Sequence, residues 1–142
     1  MKSEVPMTRD EIIAFLNRHP VCHLATVDNG QPRVRGMFMY RADETGLMFH
    51  TGTHKAVAEQ LQTGMPVEVC FNNSDVQVRV AGVAEVCDDD ALKQEVLSVR
   101  SFMQPWIEKH GLDLLLLVRI TQCRVAVWTL ADNFKRVDYQ PL

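Results

Sequence analysis

Hydrophobic and polar positions along this chain follow two periods, and the switches between them outline its elements. Ile12, Ile13, Phe15 and Leu16 give one apolar helical face. Thr8 and Glu11 stand at capping-box spacing before it, and Pro20 ends it. Residues 21–27 are rich in strand formers, and Asn29-Gly30 reads as the central pair of a tight hairpin turn. A second strand is predicted over 32–40, a turn over 43–46 and a third strand over 47–51. Such short connections make these three strands antiparallel neighbours. Helical spacing returns over 54–62, where Val57, Ala58 and Leu61 share a face, and Gly64 and Pro66 close it.

Residues 67–71 alternate as a strand, and 72–75 are turn-like. Residues 76–86 form a long strand with Val76, Val78 and Val80 on one face, and Gly82 marks a bulge or bend. Asp88, Asp89 and Asp90 suit the start of a helix that runs to about position 103. A short helical turn over 105–111 leads to strands over 114–120 and 124–130, with a turn near Gln122 between them. The tail over 131–142 reads as irregular, and residues 1–7 as a loosely held leader. The pattern is six or seven strands with inserted helices, in one domain spanning 1–142. That many antiparallel strands must close to hide their edges, so a small barrel with helices at its rims is expected.

Composition narrows the functional classes. A hydrophobic content of 46% and 23% charged residues describe an ordinary globular chain of 142 residues. The net charge of −3 argues against a broad basic face for nucleic acid. No apolar run approaches the roughly 20 residues of a membrane span, since Asp113 and Arg119 interrupt the longest. No apolar signal segment follows Lys2, so a cytoplasmic protein is expected. Cys22, Cys70, Cys87 and Cys123 form no paired motif and sit in apolar stretches, as buried free thiols do.

The chemistry concentrates in positions 31–55. Arg33 and Arg35, two apart, share a strand face that Met37 and Met39 continue. Methionines there suit a flat ring. The strand end and helix start carry His50, Thr51, Thr53, His54 and Lys55. Small residues at such a junction let backbone approach a ligand, and a helix start offers unpaired amides. Lys55 opposes the helix dipole, a cost that a nearby anion would offset; phosphate is the simplest candidate. The same residues also describe a solvated strand and an ordinary helix cap. His50 and His54 straddle a strand end with no third ligand in sight, so no metal site is expected. No serine elbow or glycine-rich dinucleotide fingerprint occurs. Trp128 reads as a core or interface aromatic, or as an edge contact for an aromatic cofactor.

Taken in order, Arg35-Gly36-Met37-Phe38-Met39-Tyr40, then Phe49-His50-Thr51 with Lys55, then 76–82, resemble the pyridoxamine 5′-phosphate oxidase-like flavoproteins. The likeness runs over about 8–128. It implies a six-stranded antiparallel FMN-binding split β-barrel of Greek-key type. It also implies a homodimer with FMN at the subunit interface and a small-molecule electron donor and acceptor. Carried over by position, Arg35 meets the FMN while the Gly36 and Met37 backbone lies along the isoalloxazine ring. His50 and Thr51 match a strand-end pair that contacts the cofactor, and His54 and Lys55 match a basic pair on its phosphate. Histidine stands at 54 where arginine is commoner, which makes that grip weaker and pH-sensitive. Gln77 and Trp128 match flavin contacts, and Arg33 is a candidate substrate contact.

The chain departs from the true pyridoxamine phosphate oxidases in its tail. Those enzymes continue into an arginine-rich segment, where this chain has only Lys135 and Arg136. The loop at Gly52-Thr53 is also shorter. A short single-domain flavin-dependent oxidoreductase is therefore expected rather than a vitamin B6 oxidase. Alternatives are a flavin reductase, a stress-related flavin-binding protein without a dedicated substrate, or a haem- or deazaflavin-binding member of the same fold. No side chain stands out as a general acid or base.

Overall fold

The computed structural model describes residues 7–142. The predicted leader falls almost wholly outside them. Thr8 caps helix α1 (Arg9–Arg18): its hydroxyl oxygen accepts from the Glu11 amide at 3.2 Å. The Thr8 hydroxyl in turn donates to the Glu11 carboxylate, a variant of the expected box. Ile12, Phe15 and Leu16 are buried against the barrel.

Strands β1 (Val21–Asp28) and β2 (Gln31–Phe38) form the expected hairpin. Asn29 and Gly30 both take positive φ, 48° and 82°, as the mirror-type two-residue turn demands. The chain then departs from prediction. The strand expected over 32–40 breaks after Phe38, and Met39 and Tyr40 carry it to the far edge of the sheet. There β3 (Arg41–Asp43) pairs with β4 (Gly46–Gly52). Sheet order is β2-β1-β5-β6-β7-β4-β3, so β2 and β4 are not neighbours as the expected three-strand run required. The sheet's two edges are consecutive pieces of chain, joined covalently rather than by a ladder. The Met39 amide bonds the Pro20 carbonyl on one side and the Tyr40 amide bonds the Met48 carbonyl on the other, each at 2.9 Å. This is a split barrel, antiparallel throughout.

Helix α2 (Ala56–Gln60) leads to β5 (Pro66–Asn72) and β6 (Val76–Val86). Helices α3 (Asp90–Val99) and α4 (Gln104–His110) follow, with a 3-10 turn at Ser101–Met103 between them. The last two predicted strands are one, β7 (Leu115–Thr129). The turn expected near Gln122 is a bulge: Gln122 and Cys123 lie opposite Gly82, and Gln122 takes φ 53°. The extra residue reverses side-chain parity. Leu116, Val118 and Ile120 face the barrel core before it, and Cys123, Val125 and Val127 face it after. The other face of the first half, Leu115 and Leu117, packs under α3 with Met48, Val96, Leu97 and Met103.

Eight strands thus replace the expected six. The additions are β3, which continues β2 past its bend, and the two-residue β8 (Gln140–Pro141) on β7. The tail is accordingly less irregular than predicted, and the Tyr139 hydroxyl donates to Glu68 at 2.6 Å. All four cysteines are free thiols, and burial pushes Cys22 up to about 12. Among the described residues no helix is long and apolar enough to cross a membrane.

Candidate functional site

Strand β4 serves two layers. Leu47 and Phe49 enter the barrel core, while Met48 and His50 point the other way. The α3–α4 segment covers that outer face only in part. Between it and the end of β2 opens a cleft of about 830 Å³. Gly36, Met37 and Phe38 form one wall, and Phe102, Trp106 and Ile107 form the opposite one. His50, Thr51, His54 and Lys55 line the end between them.

Local chemistry explains the openness of this end. A Cβ on Gly36 would meet nothing within 4 Å, so bare backbone faces the opening. Lys55 is the N-cap of α2, with extended backbone and no side-chain capping bond. The helix begins later than the expected 54, which makes Lys55 the N-cap itself, still at the positive end of the dipole. The expected free amides are partly used: Thr53 donates to the Leu114 carbonyl at 2.8 Å and Lys55 to the Gly52 carbonyl at 3.1 Å. Lys55 makes no ion pair among the described residues.

Arg35 does not line the cleft. Leu24 and Arg35 are register partners, so its side chain leaves β2 on the same face as a fully buried leucine. Its guanidinium donates to the Leu24 carbonyl at 3.0 Å, Thr26 Oγ1 at 2.8 Å and Gln60 Oε1 at 2.8 Å. It thereby ties α2 to β1. Burial holds it below its usual pKa, and no carboxylate pairs with it among the described residues. Arg33 pairs instead with Asp28 at 3.5 Å, on the surface. Gln77 and Trp128 face each other across β6 and β7, outside the cleft. The indole Nε1 donates to Asn133 at 3.0 Å. The structure thus gathers Gly36, Met37, His50, Thr51, His54 and Lys55, and leaves Arg35, Gln77 and Trp128 apart.

One contributor is missing from the sequence reading. Arg100, just past α3, is 7% exposed and reaches His50 Nε2 at 2.6 Å. Its signal was available: Val96, Leu97, Arg100 and Met103 fall at helical core spacing, with an arginine in an apolar position. The Arg100 charge, the Lys55 charge and above all burial lower His50 from 6.5 to about 4. Burial lowers the Arg100 pKa as well. A lysine without an ion pair among the described residues and a bare backbone wall suit a flat anionic ligand, with the buried Arg100 guanidinium behind His50. Among the described residues no group of three or more His, Cys, Asp or Glu could hold a metal ion.

A family model described as pyridoxamine 5′-phosphate oxidase matches residues 8–129, and the chain belongs to that family. The chain is 38% identical over 72 residues to a pyridoxine/pyridoxamine 5′-phosphate oxidase of Chelativorans sp. (strain BNC1). That match takes in 48% of this chain and 34% of the relative, so it spans about a third of that enzyme's length. It is 29% identical over 107 residues to general stress protein 26 of Bacillus subtilis (strain 168), covering 70% of this chain and 73% of the relative. Among solved structures, a NimC/NimA family protein of Clostridium acetobutylicum superposes with TM-score 0.73 at 19% identity, over 94% of this chain and 91% of the other. A pyridoxamine 5′-phosphate oxidase-related, FMN-binding protein of Nostoc punctiforme PCC 73102 gives 0.61 at 20% identity, over 99% of each. An FAD- and haem-binding protein of Mycobacterium smegmatis gives 0.66 at 17% identity, over 95% of this chain and 82% of the other. These structural likenesses establish the fold.

Proposed function

We propose that this protein is a small FMN-binding flavoprotein that works as a cytoplasmic homodimeric oxidoreductase. One observation carries the reading: Lys55, free of any ion pair among the described residues, stands at one end of a cleft whose side wall is the bare backbone at Gly36. Lys55 and His54 would hold the cofactor phosphate, with the Thr51 hydroxyl beside them. Gly36 and Met37 would lie along the ring, and Arg35 would keep β2 and α2 in place behind them. FMN, when bound, supplies reversible two-electron chemistry.

Gln77 and Trp128 are register partners on β6 and β7 and do not line their own cleft. In a dimer they would complete the site of the partner subunit. Val21, Val34 and Phe38, exposed at 71%, 69% and 50%, support pairing of that face.

Among the described residues, Lys55 is also the one permanent cation that lines the cleft. It suffices for one phosphate, which supports a substrate other than pyridoxamine phosphate. A flavin-holding role without a dedicated substrate is the second reading, favoured by the likeness to general stress protein 26. Haem is disfavoured at His50, whose Nε2 is already engaged by Arg100. The test is titration of the purified protein with FMN, followed by NADH and NADPH turnover. Flavin absorbance that co-purifies or saturates supports the proposal, and turnover separates oxidoreductase from carrier. A protein that ignores FMN refutes the proposal.

A further inference from the structure

The contact between Arg100 and His50 has consequences for the cleft beyond holding α3 in place. The Arg100 guanidinium reaches back to the β2–β3 crossover. Nη1 donates to the Phe38 carbonyl at 2.8 Å and Nη2 to the Met39 carbonyl at 2.7 Å. The carbon at the centre of the guanidinium lies 4.1 Å from the centre of the Phe38 ring, so the group is stacked as well as bonded. No carboxylate lies within ion-pair distance of it among the described residues.

A guanidinium has five donors and no acceptor. Its contact with His50 Nε2 at 2.6 Å therefore requires a lone pair on that nitrogen. The ring proton is then on Nδ1. Nδ1 makes no hydrogen bond within the described residues, yet the sole sealed and unpartnered side-chain nitrogen or oxygen among them is Arg79 Nε. Nδ1 is thus open, and His50 lines the cleft.

We propose that Arg100 is a positioning residue of the cleft: it locks His50 as the neutral Nδ1–H tautomer, which gives one hydrogen bond to an acceptor atom of the bound ligand. The acceptor is a carbonyl, carboxylate or phosphoryl oxygen, or an unprotonated ring nitrogen. His50 is then a fixed donor and not a proton shuttle. The groups facing it act in one direction. Arg100 comes from the end of α3 and Lys55 from the loop before α2, and both disfavour a charged imidazole. Tyr40, beyond β2, donates its hydroxyl to Glu95 at 2.9 Å, and that carboxylate also takes Arg41. His54 and His110 share the cleft, and the partner of His50 across β4–β7 is the apolar Leu117. The tautomer belongs to the ligand-free protein; only the ligand half of the inference rests on the functional reading above.

The test is two-bond proton–nitrogen correlation NMR on histidine-labelled protein from pH 5 to 8. The expected His50 pattern is a bare Nε2 and a protonated Nδ1, unchanged across the range. In Arg100→Gln the midpoint should rise toward that window and the Nδ1–H preference should be lost, and Arg100→Lys should restore part of both by returning the charged donor. A wild-type Nε2–H ring, or a wild-type midpoint above pH 5.5, overturns the proposal. Should the variants fail to fold, the wild-type spectrum alone decides it. Addition of FMN should move the His50 Nδ1 signal. If FMN binds and leaves that signal unmoved, the ligand half fails. If FMN does not bind at all, the functional reading fails and the tautomer stands.

Discussion

His54 lays its imidazole over Gly52, in the space a side chain there would need. A Cβ built on Gly52 would stand 2.5 Å from His54 Cε1 and 2.6 Å from Nδ1. The missing side chain thus lets the ring fold back beside Lys55 at the end of the cleft. Gly52→Ala should displace the ring, which is the far end of an exposed side chain, at a stability cost below about 1 kcal/mol. FMN affinity should fall by a larger amount. Thermal unfolding and FMN titration of the same preparation check both halves.

Arg35→Ala removes three hydrogen bonds, two to β1 and one that joins the hairpin to α2. Thr26 and Gln60 keep each other, with their side chains 2.6 Å apart. The apoprotein should therefore lose about 1–3 kcal/mol rather than unfold. Urea denaturation without flavin measures it. No change in the midpoint would contradict the role of Arg35 as a tie within the subunit.

Gly82 opposite the β7 bulge has less room. A Cβ there would lie 2.6 Å from the Thr121 carbonyl oxygen, a backbone atom. Gly82→Ala should cost about 1–3 kcal/mol because backbone must shift. Thermal denaturation reads the loss, and an unchanged melting temperature would show that the strand relaxes freely.

The alternating strands, the Asn29-Gly30 turn and the Thr8 cap were legible because each depends on neighbours in sequence. The route from β2 to β3 was not. Met37-Phe38-Met39-Tyr40 is one apolar run that reads as strand to its end, and nothing local signals that Met39 and Tyr40 leave one edge of the sheet for the other. The bulge was half legible: Gly82 marked it, while the turn expected near Gln122 is its other side. In the site, the strand-end and loop residues came together as expected, because 50–55 is a single continuous stretch. Arg35 was read from its strand face, but the depth of the barrel at Thr26 and Gln60 decides what it touches. Arg100 joins the site from 50 residues further along the chain than His50, a distance that no local pattern bridges.

His50 makes stability depend on pH. In the fold its pKa is lowered from 6.5 to about 4. Between those values the unfolded chain binds more protons than the native one, so this contribution is fully present above about pH 6.5. It fades as pH falls toward 4. The loss should be on the order of 2 kcal/mol once screening at the cleft edge is allowed for. Urea midpoints for wild type and His50→Asn at pH 5 and pH 7.5 check the sign. The wild type should lose more on acidification than the variant, and an equal loss would contradict the assignment.

The central claim is that Lys55 reads the phosphate of a bound flavin, and comparing FMN with riboflavin tests it most directly. Both share the ring, and only FMN carries the phosphate. Wild type should prefer FMN, and Lys55→Ala should lose about 1.5–3 kcal/mol of FMN affinity, about 10- to 150-fold, with riboflavin binding unchanged. If wild type binds both flavins equally, or if the variant loses both alike, the phosphate lies elsewhere and the account is wrong.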